Sequence, residues 1–161
     1  MKTFLFILAF AVSISVNAQQ ITKVSLQASG LTCSMCSNSI NKALKTVDFV
    51  DNVNANVQNS SFEITFKHNK KVDFDILKKK VEGAGFSVSK FIAFVNFNNV
   101  RIKNNEALTI GSTTFLFTNA KEESVKGEIP VHIVDKGFVS PKEYKKNPVT
   151  QTAEKTYHAT I

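Results

Sequence analysis

The sequence predicts an α+β chain, a βαββαβ unit followed by a small all-β unit, and three patterns predict it. Apolar and polar residues alternate over residues 22–28 and 61–67 and again after Gly85, the period of half-buried strands. Two intervening stretches, 34–46 and 74–84, carry apolar residues at helical spacing. From Ile92 onward the helical period ends, and short alternating runs separated by turn residues take over.

Residues 1–18 stand outside that pattern. Lys2 precedes the apolar run 4–12, and Val16-Asn17-Ala18 closes it with small residues, the form of a secretory signal peptide cleaved after Ala18. A membrane span needs roughly 20 apolar residues. Ser13, Ser15 and Asn17 interrupt this one, so no membrane insertion of the mature chain is expected. No cysteine follows the cleavage site, which excludes lipid attachment there. The expected location is periplasmic or secreted, where thiol pairs tend to oxidise. The chain has 20 Lys and Arg against 13 Asp and Glu, a net charge of +7 spread along its length. That excess favours solubility and an acidic partner; nucleic acid is not the partner expected of an exported protein.

In chain order, Val24, Leu26 and Ala28 form the buried face of the first strand, and Ser29-Gly30 ends it. Gly30 can take the positive φ of a sharp exit loop. The motif Gly30-Leu31-Thr32-Cys33-Ser34-Met35-Cys36 follows and holds the chain's two cysteines. Cys36, Ile40, Ala43, Leu44 and Val47 then make an apolar stripe, with Ser37, Asn38, Asn41, Lys42 and Lys45 opposite, predicting a helix over 34–46. Cys36 falls in its first turn, where unpaired N–H groups and the positive end of the helix dipole stabilise a thiolate. Residues 50–57, with Val53, Ala55 and Val57 on one face, predict the second strand, and 61–67, with Phe62, Ile64 and Phe66, the third, across a turn at Gln58-Asn59-Ser60. Asp73 is placed to cap a helix over 74–84 whose stripe is Ile76, Leu77, Val81 and Ala84, ended by Gly85. Phe86, Val88 and Lys90 alternate with Ser87, Ser89 and Phe91 in the fourth strand. The order βαββαβ gives a sheet with both helices on one face and split βαβ connectivity.

Two thiols at i and i+3, one on a loop and one on a helical turn, suit either one soft metal ion or one redox disulfide. A structural disulfide at this spacing closes a very short loop and removes little entropy from the unfolded chain, so stabilisation does not explain the pair. Cu(I) favours sulfur and accepts low coordination. Zn(II) wants four ligands, and no second cysteine pair exists to close such a site. A two-coordinate ion stays open to a third, incoming thiolate, which points to transport or buffering rather than catalysis.

On the motif Gly30 to Cys36, the two helices and the closing Gly85-Phe86, the stretch from Val24 to Phe91 resembles a heavy-metal-associated domain of the copper-chaperone and copper-ATPase family. The resemblance implies a ferredoxin-like fold over 21–91 and no enzymatic activity. It implies that Cys33 and Cys36 hold one Cu(I), with Hg(II) the alternative ion, and hand it to a copper-transporting or copper-accepting protein. The family usually has methionine at the position of Leu31, a residue that packs under the loop. Phe86 stands where the family carries an aromatic or a lysine near the metal loop. A thioredoxin-like redox site needs a larger framework and a proline beside the thiols, and the proline nearest in sequence is Pro130. Met35 carries a thioether that is a candidate ligand, but its helical phase points away from the core stripe and it is read as a solvent-facing spacer; His68 is read as a surface residue, and Lys78-Lys79-Lys80 as the solvated face of the second helix, with docking of an acidic partner the secondary reading.

Over 92–161 the runs 91–100, 113–117, 129–134 and 157–161, with a short one at Leu108 and Ile110, predict five or six strands. Asn98-Asn99, Asn104-Asn105, Gly111-Ser112, Gly127, Lys136-Gly137 and Asn147-Pro148 read as turns. That content suits a small closed, OB-like barrel, with a small sandwich as the alternative. Direct passage of residues 91–95 from one unit into the next predicts a fixed relative orientation. His132 and His158 are expected on the solvent side of their strands, and would form a copper pair only if those strands are neighbours. No nucleophile with a base, phosphate loop or acidic pair is present, so protein docking is the role expected of this half.

Overall fold

A computed structural model describes residues 20–31, 33–146, 148–149 and 155–161. The signal peptide expected over 1–18 lies outside these residues, as do Thr32 of the cysteine motif and Asn147 of the last turn signal.

Strand β1 (Gln20–Ser29) buries Val24, Leu26 and Ala28, as its alternation predicts. Helix α1 (Ser34–Lys45) buries Ile40 and Leu44. It also buries Ser37, read from sequence as solvent-facing, because positions 37, 40 and 44 share one face. Strands β2 (Val50–Asn56) and β3 (Ser61–Phe66) form the expected hairpin, with Val50, Val53, Phe62 and Ile64 inside and Val57 left exposed. Helix α2 (Phe74–Gly83) starts on Asp73, whose Oδ1 accepts the N–H of Asp75 at 3.0 Å and of Ile76 at 3.4 Å. Its buried positions are Phe74, Leu77 and Val81, so the stripe begins at Phe74 and the expected Ile76 lies outside it.

Strand β4 (Ser87–Ile102) carries the largest departure from the expected pattern. Its pairing with β1 slips one residue between Gln27↔Lys90 and Ala28↔Val88, leaving Ser89 extra. The bulge reverses the alternation, so Val88 and Phe91 both enter the core while Lys90 faces water. A second slip, between Phe97↔Gly127 and Val100↔Val125, absorbs Asn98 and Asn99. These asparagines and Gly127, read from sequence as turns, are therefore a bulge inside two long strands.

The remaining elements are β5 (Ala107–Ile110), β6 (Thr113–Phe117), β7 (Glu123–Ile133), α3 (Pro141–Lys146) and β8 (Thr156–Thr160). The eight strands of the described residues make one sheet, ordered β2-β3-β1-β4-β7-β8-β6-β5. The first four have the ferredoxin-like βαββαβ arrangement. The expected OB-like barrel is not found among the described residues: β7 pairs antiparallel with the free side of β4, extending the first sheet, and no described pairing joins its ends β2 and β5. Alternation identifies a half-buried strand but not the sheet it joins, which is why this was illegible in sequence. The junction expected at 91/92 falls within β4, and the buried side chains of both halves form one cluster.

Helix α2 spans both halves of that cluster. The Phe74 ring lies 4.9 Å from Phe91, 6.1 Å from Phe115 and 5.1 Å from Tyr157, measured between centroids. Phe138 meets Phe91 edge-on at 5.1 Å and Tyr157 at 5.4 Å. Each such pair adds about 0.5–1.5 kcal/mol beyond the area it buries. Helix α3 was missed in an all-β reading, although Ser140-Pro141-Lys142-Glu143 carries its signal. Proline is preset for the first helical position, and Ser140 Oγ accepts the Glu143 N–H at 3.2 Å.

Candidate functional site

The site is assembled where β1 ends and α1 begins. Gly30 turns the chain with φ +83°, and a Cβ built there would lie 3.9 Å from Phe86 Cδ1. Ser29 Oγ donates to the Ser87 carbonyl at 3.3 Å, tying the end of β1 to the start of β4. Leu31 and Phe86 are both partly buried and pack against the core.

Cys33 is the N-cap of α1, in extended conformation, and its Sγ accepts the Cys36 N–H at 3.2 Å. The Cys33 carbonyl accepts the Ser37 N–H at 3.3 Å, the first helical bond. A cysteine thus takes the place usually held by serine or aspartate, and one sulfur lies against the positive end of the helix. The first turn holds no acidic residue, so its field is left to stabilise anionic sulfur. Cys33 and Cys36 are joined as a disulfide, with Cα atoms 5.4 Å apart. Cys33, Ser34 and Met35 are exposed and Cys36 is half-buried.

The other candidate residues fall elsewhere. His68 is exposed, as expected. Strands β7 and β8 do pair, through His132↔Thr160, but His158 is buried rather than solvent-facing. Its Nδ1 lies 2.8 Å from Asp135 Oδ1, and its backbone N–H donates to Asp135 Oδ2 at 2.7 Å. Burial, and then the Lys90 charge, hold His132 below the ordinary imidazole range against the pull of Glu143. Among the described residues no group of three or more His, Cys, Asp or Glu could hold a metal ion. No described helix is long and apolar enough to cross a membrane.

Lys78 departs from the solvated run expected of Lys78-Lys79-Lys80. Its Nζ lies 2.7 Å from Asp75 Oδ1 and 4.6 Å from the centroid of the Phe138 ring. Burial works to raise the Asp75 carboxyl, but hydrogen bonds from Lys78 and Tyr157 and the charges of Lys78 and Lys79 outweigh it and hold the group low. This cluster joins α2 to the C-terminal half, and nothing in the lysine run itself announced it.

The chain thus carries a βαββαβ unit with a paired-cysteine motif at its first loop-to-helix junction. Residues 25–87 match the family model described as the heavy-metal-associated domain, and that stretch belongs to this family. Among solved structures, a CopZ metallochaperone is 24% identical over 42% of this chain and 98% of its own, with a TM-score of 0.39. A copper binding domain from HMA7, a P-type ATPase, is 30% identical over 43% and 92%, TM-score 0.39. Oxidized MerP from Ralstonia metallidurans CH34 is 30% identical over 45% and 96%, TM-score 0.39. No curated protein matches the chain.

Proposed function

We propose that the chain is an exported, non-enzymatic metallochaperone: a metal-binding unit over 21–91 and a β-rich unit over 92–161 that recognises a copper-transporting or copper-accepting partner. Cys33 and Cys36, once reduced, hold one soft metal ion, Cu(I), and release it by ligand exchange. One observation carries this reading: the two sulfurs meet at the exposed start of α1, within a stretch that belongs to the heavy-metal-associated family. Two electrons and two protons convert the disulfide to two thiols, and both protons leave as the ion binds. Sulfur ligands and low coordination favour Cu(I), and the absence of a second cysteine pair disfavours structural zinc. Mercury(II) satisfies the same thiolate pair and is the alternative cargo.

The disulfide itself supports a second reading, a thiol redox protein. Against it, Pro130 lies in β7 opposite Phe94, remote in the fold from the β1–α1 loop. Titration of the reduced chain with Cu(I) against a competing chelator decides between them. One tightly held ion, lost in Cys33→Ser, supports the chaperone; unchanged binding in that variant sinks it. Metal-free reductase activity towards a disulfide substrate would reverse the ranking.

A further inference from the structure

One-fifth of the chain is charged, yet three of its segments, 24–41, 52–62 and 83–89, contain no Asp, Glu, Lys or Arg. The fold brings the three together around the cysteine loop. The Ala28 N–H donates to the Ser60 carbonyl at 3.0 Å and Gln27 Nε2 to the Asn59 carbonyl at 2.9 Å, which sets the β2–β3 turn beside the end of β1. Ser29 Oγ donates to the Ser87 carbonyl at 3.3 Å, which adds the start of β4. The end of the molecule that carries Cys33 and Cys36 is therefore built from uncharged polar and apolar residues. Met35 at 80% and Val57 at 54%, the most exposed large apolar side chains among the described residues, both belong to it.

The charges that flank these segments stand back from the loop. Lys90 pairs with Gln27 and Glu63 with Ser25, so both lie down the strands from Gly30. Lys42 belongs to the last turn of α1, about 13 Å beyond Cys33 at a rise of about 1.5 Å per residue. Screening at physiological ionic strength acts over about 8 Å. In the C-terminal half, Glu143 acts on His132, which pairs with Ile92, again further along β4 than Ser87. The cysteine end brings no cation of its own.

Charge then decides what can meet this end. Two thiolates and one Cu(I) leave a single negative charge, and the positive end of α1, worth roughly half an elementary charge, offsets only part of it. No side chain of the three segments supplies the rest. An acceptor thiolate is itself anionic and must bond the ion for exchange, so its approach adds negative charge where none is neutralised.

We propose that the cysteine end docks a partner whose thiols are flanked by Lys or Arg on an otherwise uncharged face, an inference that rests on reading Cys33 and Cys36 as the metal site. The partner supplies the cation that this chain lacks and neutralises the shared thiolate–copper centre. In the exchange a partner thiolate bonds copper as Cys33 or Cys36 leaves, and a second displaces the other; copper stays Cu(I), and the freed cysteines take up the protons that the partner thiols lost. An acidic partner, which the net charge of +7 alone would select, is repelled here.

The test uses the full chain, reduced and loaded with one equivalent of Cu(I), and three acceptor peptides that share a Cys-x-x-Cys core and carry lysine, serine or glutamate on its flanks. Stopped-flow transfer is followed at low and at high salt. At low salt the lysine peptide takes copper on the order of tenfold faster than the serine peptide, the low end of electrostatic steering, and the glutamate peptide is slower than either; the rates converge at high salt. Ser34→Lys sets a cation beside Cys33 at an exposed position, and the ratio of the lysine to the glutamate rate falls there. Comparing that ratio between the two chains cancels the reactivity of the peptides' own thiols. Equal rates at low salt, a faster glutamate peptide, or a ratio unmoved by Ser34→Lys overturns the proposal and leaves the cysteine pair standing. A reduced chain that holds no copper overturns both.

Discussion

The hydroxyl of Tyr157 donates to Asp75 Oδ2 at 2.8 Å, linking the last strand of the chain to the helix that backs the cysteine unit. Tyr157 is buried, and Asp75 also holds Lys78. Tyr157→Phe therefore keeps the ring packing and removes one charge-assisted bond, costing about 1 kcal/mol. Screening at the partly exposed carboxylate keeps the loss at that low end. Urea unfolding at pH 7 measures it.

The pH dependence of stability follows from the same pair. Burial, and then Asp75, push the Tyr157 hydroxyl far above its ordinary value of 10.0. Stability from the neutral phenol is full below that value and falls as pH rises past it, because only the unfolded tyrosine then ionises. Asp75 acts in the opposite sense: its carboxyl lies below the ordinary 3.8, so its contribution is present above 3.8 and is lost as pH falls through the folded value. In Tyr157→Phe the alkaline fall is reduced, and in Asp75→Asn the acid limb is flatter. Melting temperatures across pH read both, and unaltered profiles would contradict the assignment.

Phe74→Ala opens a cavity beneath Phe91, Phe115 and Tyr157 and costs about 3–5 kcal/mol. Because one buried cluster serves both halves, they unfold together. Tyrosine fluorescence from the C-terminal half and hydrogen exchange in β1 and β3 report one midpoint, lowered equally.

Cys33 caps α1, and substitution separates that role from the metal-binding role proposed for it. In the reduced chain Cys33→Ser keeps an N-cap acceptor, whereas Cys33→Ala leaves the Cys36 N–H without one. Alanine is therefore less stable than serine by about 1 kcal/mol, while both lose the metal. Thermal unfolding beside Cu(I) titration shows the split.

Gly30→Ala sets a side chain at φ +83°. The new Cβ meets Phe86 at an ordinary 3.9 Å, so the cost is conformational, about 1–2 kcal/mol. It falls on the loop that carries Cys33, and weaker Cu(I) retention accompanies it.

Where one face of an element was apolar and regular, the sequence could be read directly: β1, α1 and β3 needed only period and punctuation. The cysteine loop was legible for the same reason, since Gly30, Leu31 and the helical stripe after Cys36 are local signals. What escaped were non-local choices. Ser89 as a bulge, and hence the burial of Phe91, depends on register against β1. Phe74, Lys78 and Asp75 acquire their partners from Phe138 and Tyr157, sixty or more residues later in the chain. Asn98-Asn99 and Gly127 have turn composition, and only the pairing of β4 with β7 turns them into a bulge. Helix α3 was the avoidable omission, because its cap was written in Ser140-Pro141.

The pairing of β7 on β4 also bears on how the protein keeps to itself in concentrated surroundings. A four-stranded unit ordered β2-β3-β1-β4 would present β4, its longest strand, as a bare row of amides and carbonyls on which another chain could add. Here residues 92–102 of that row pair with β7, and the edge of the sheet moves out to β5, four residues long. The opposite edge, β2, is interrupted by a register slip and studded with Asn52, Asn54 and Asn56. Neither border offers a long flat template for aggregation.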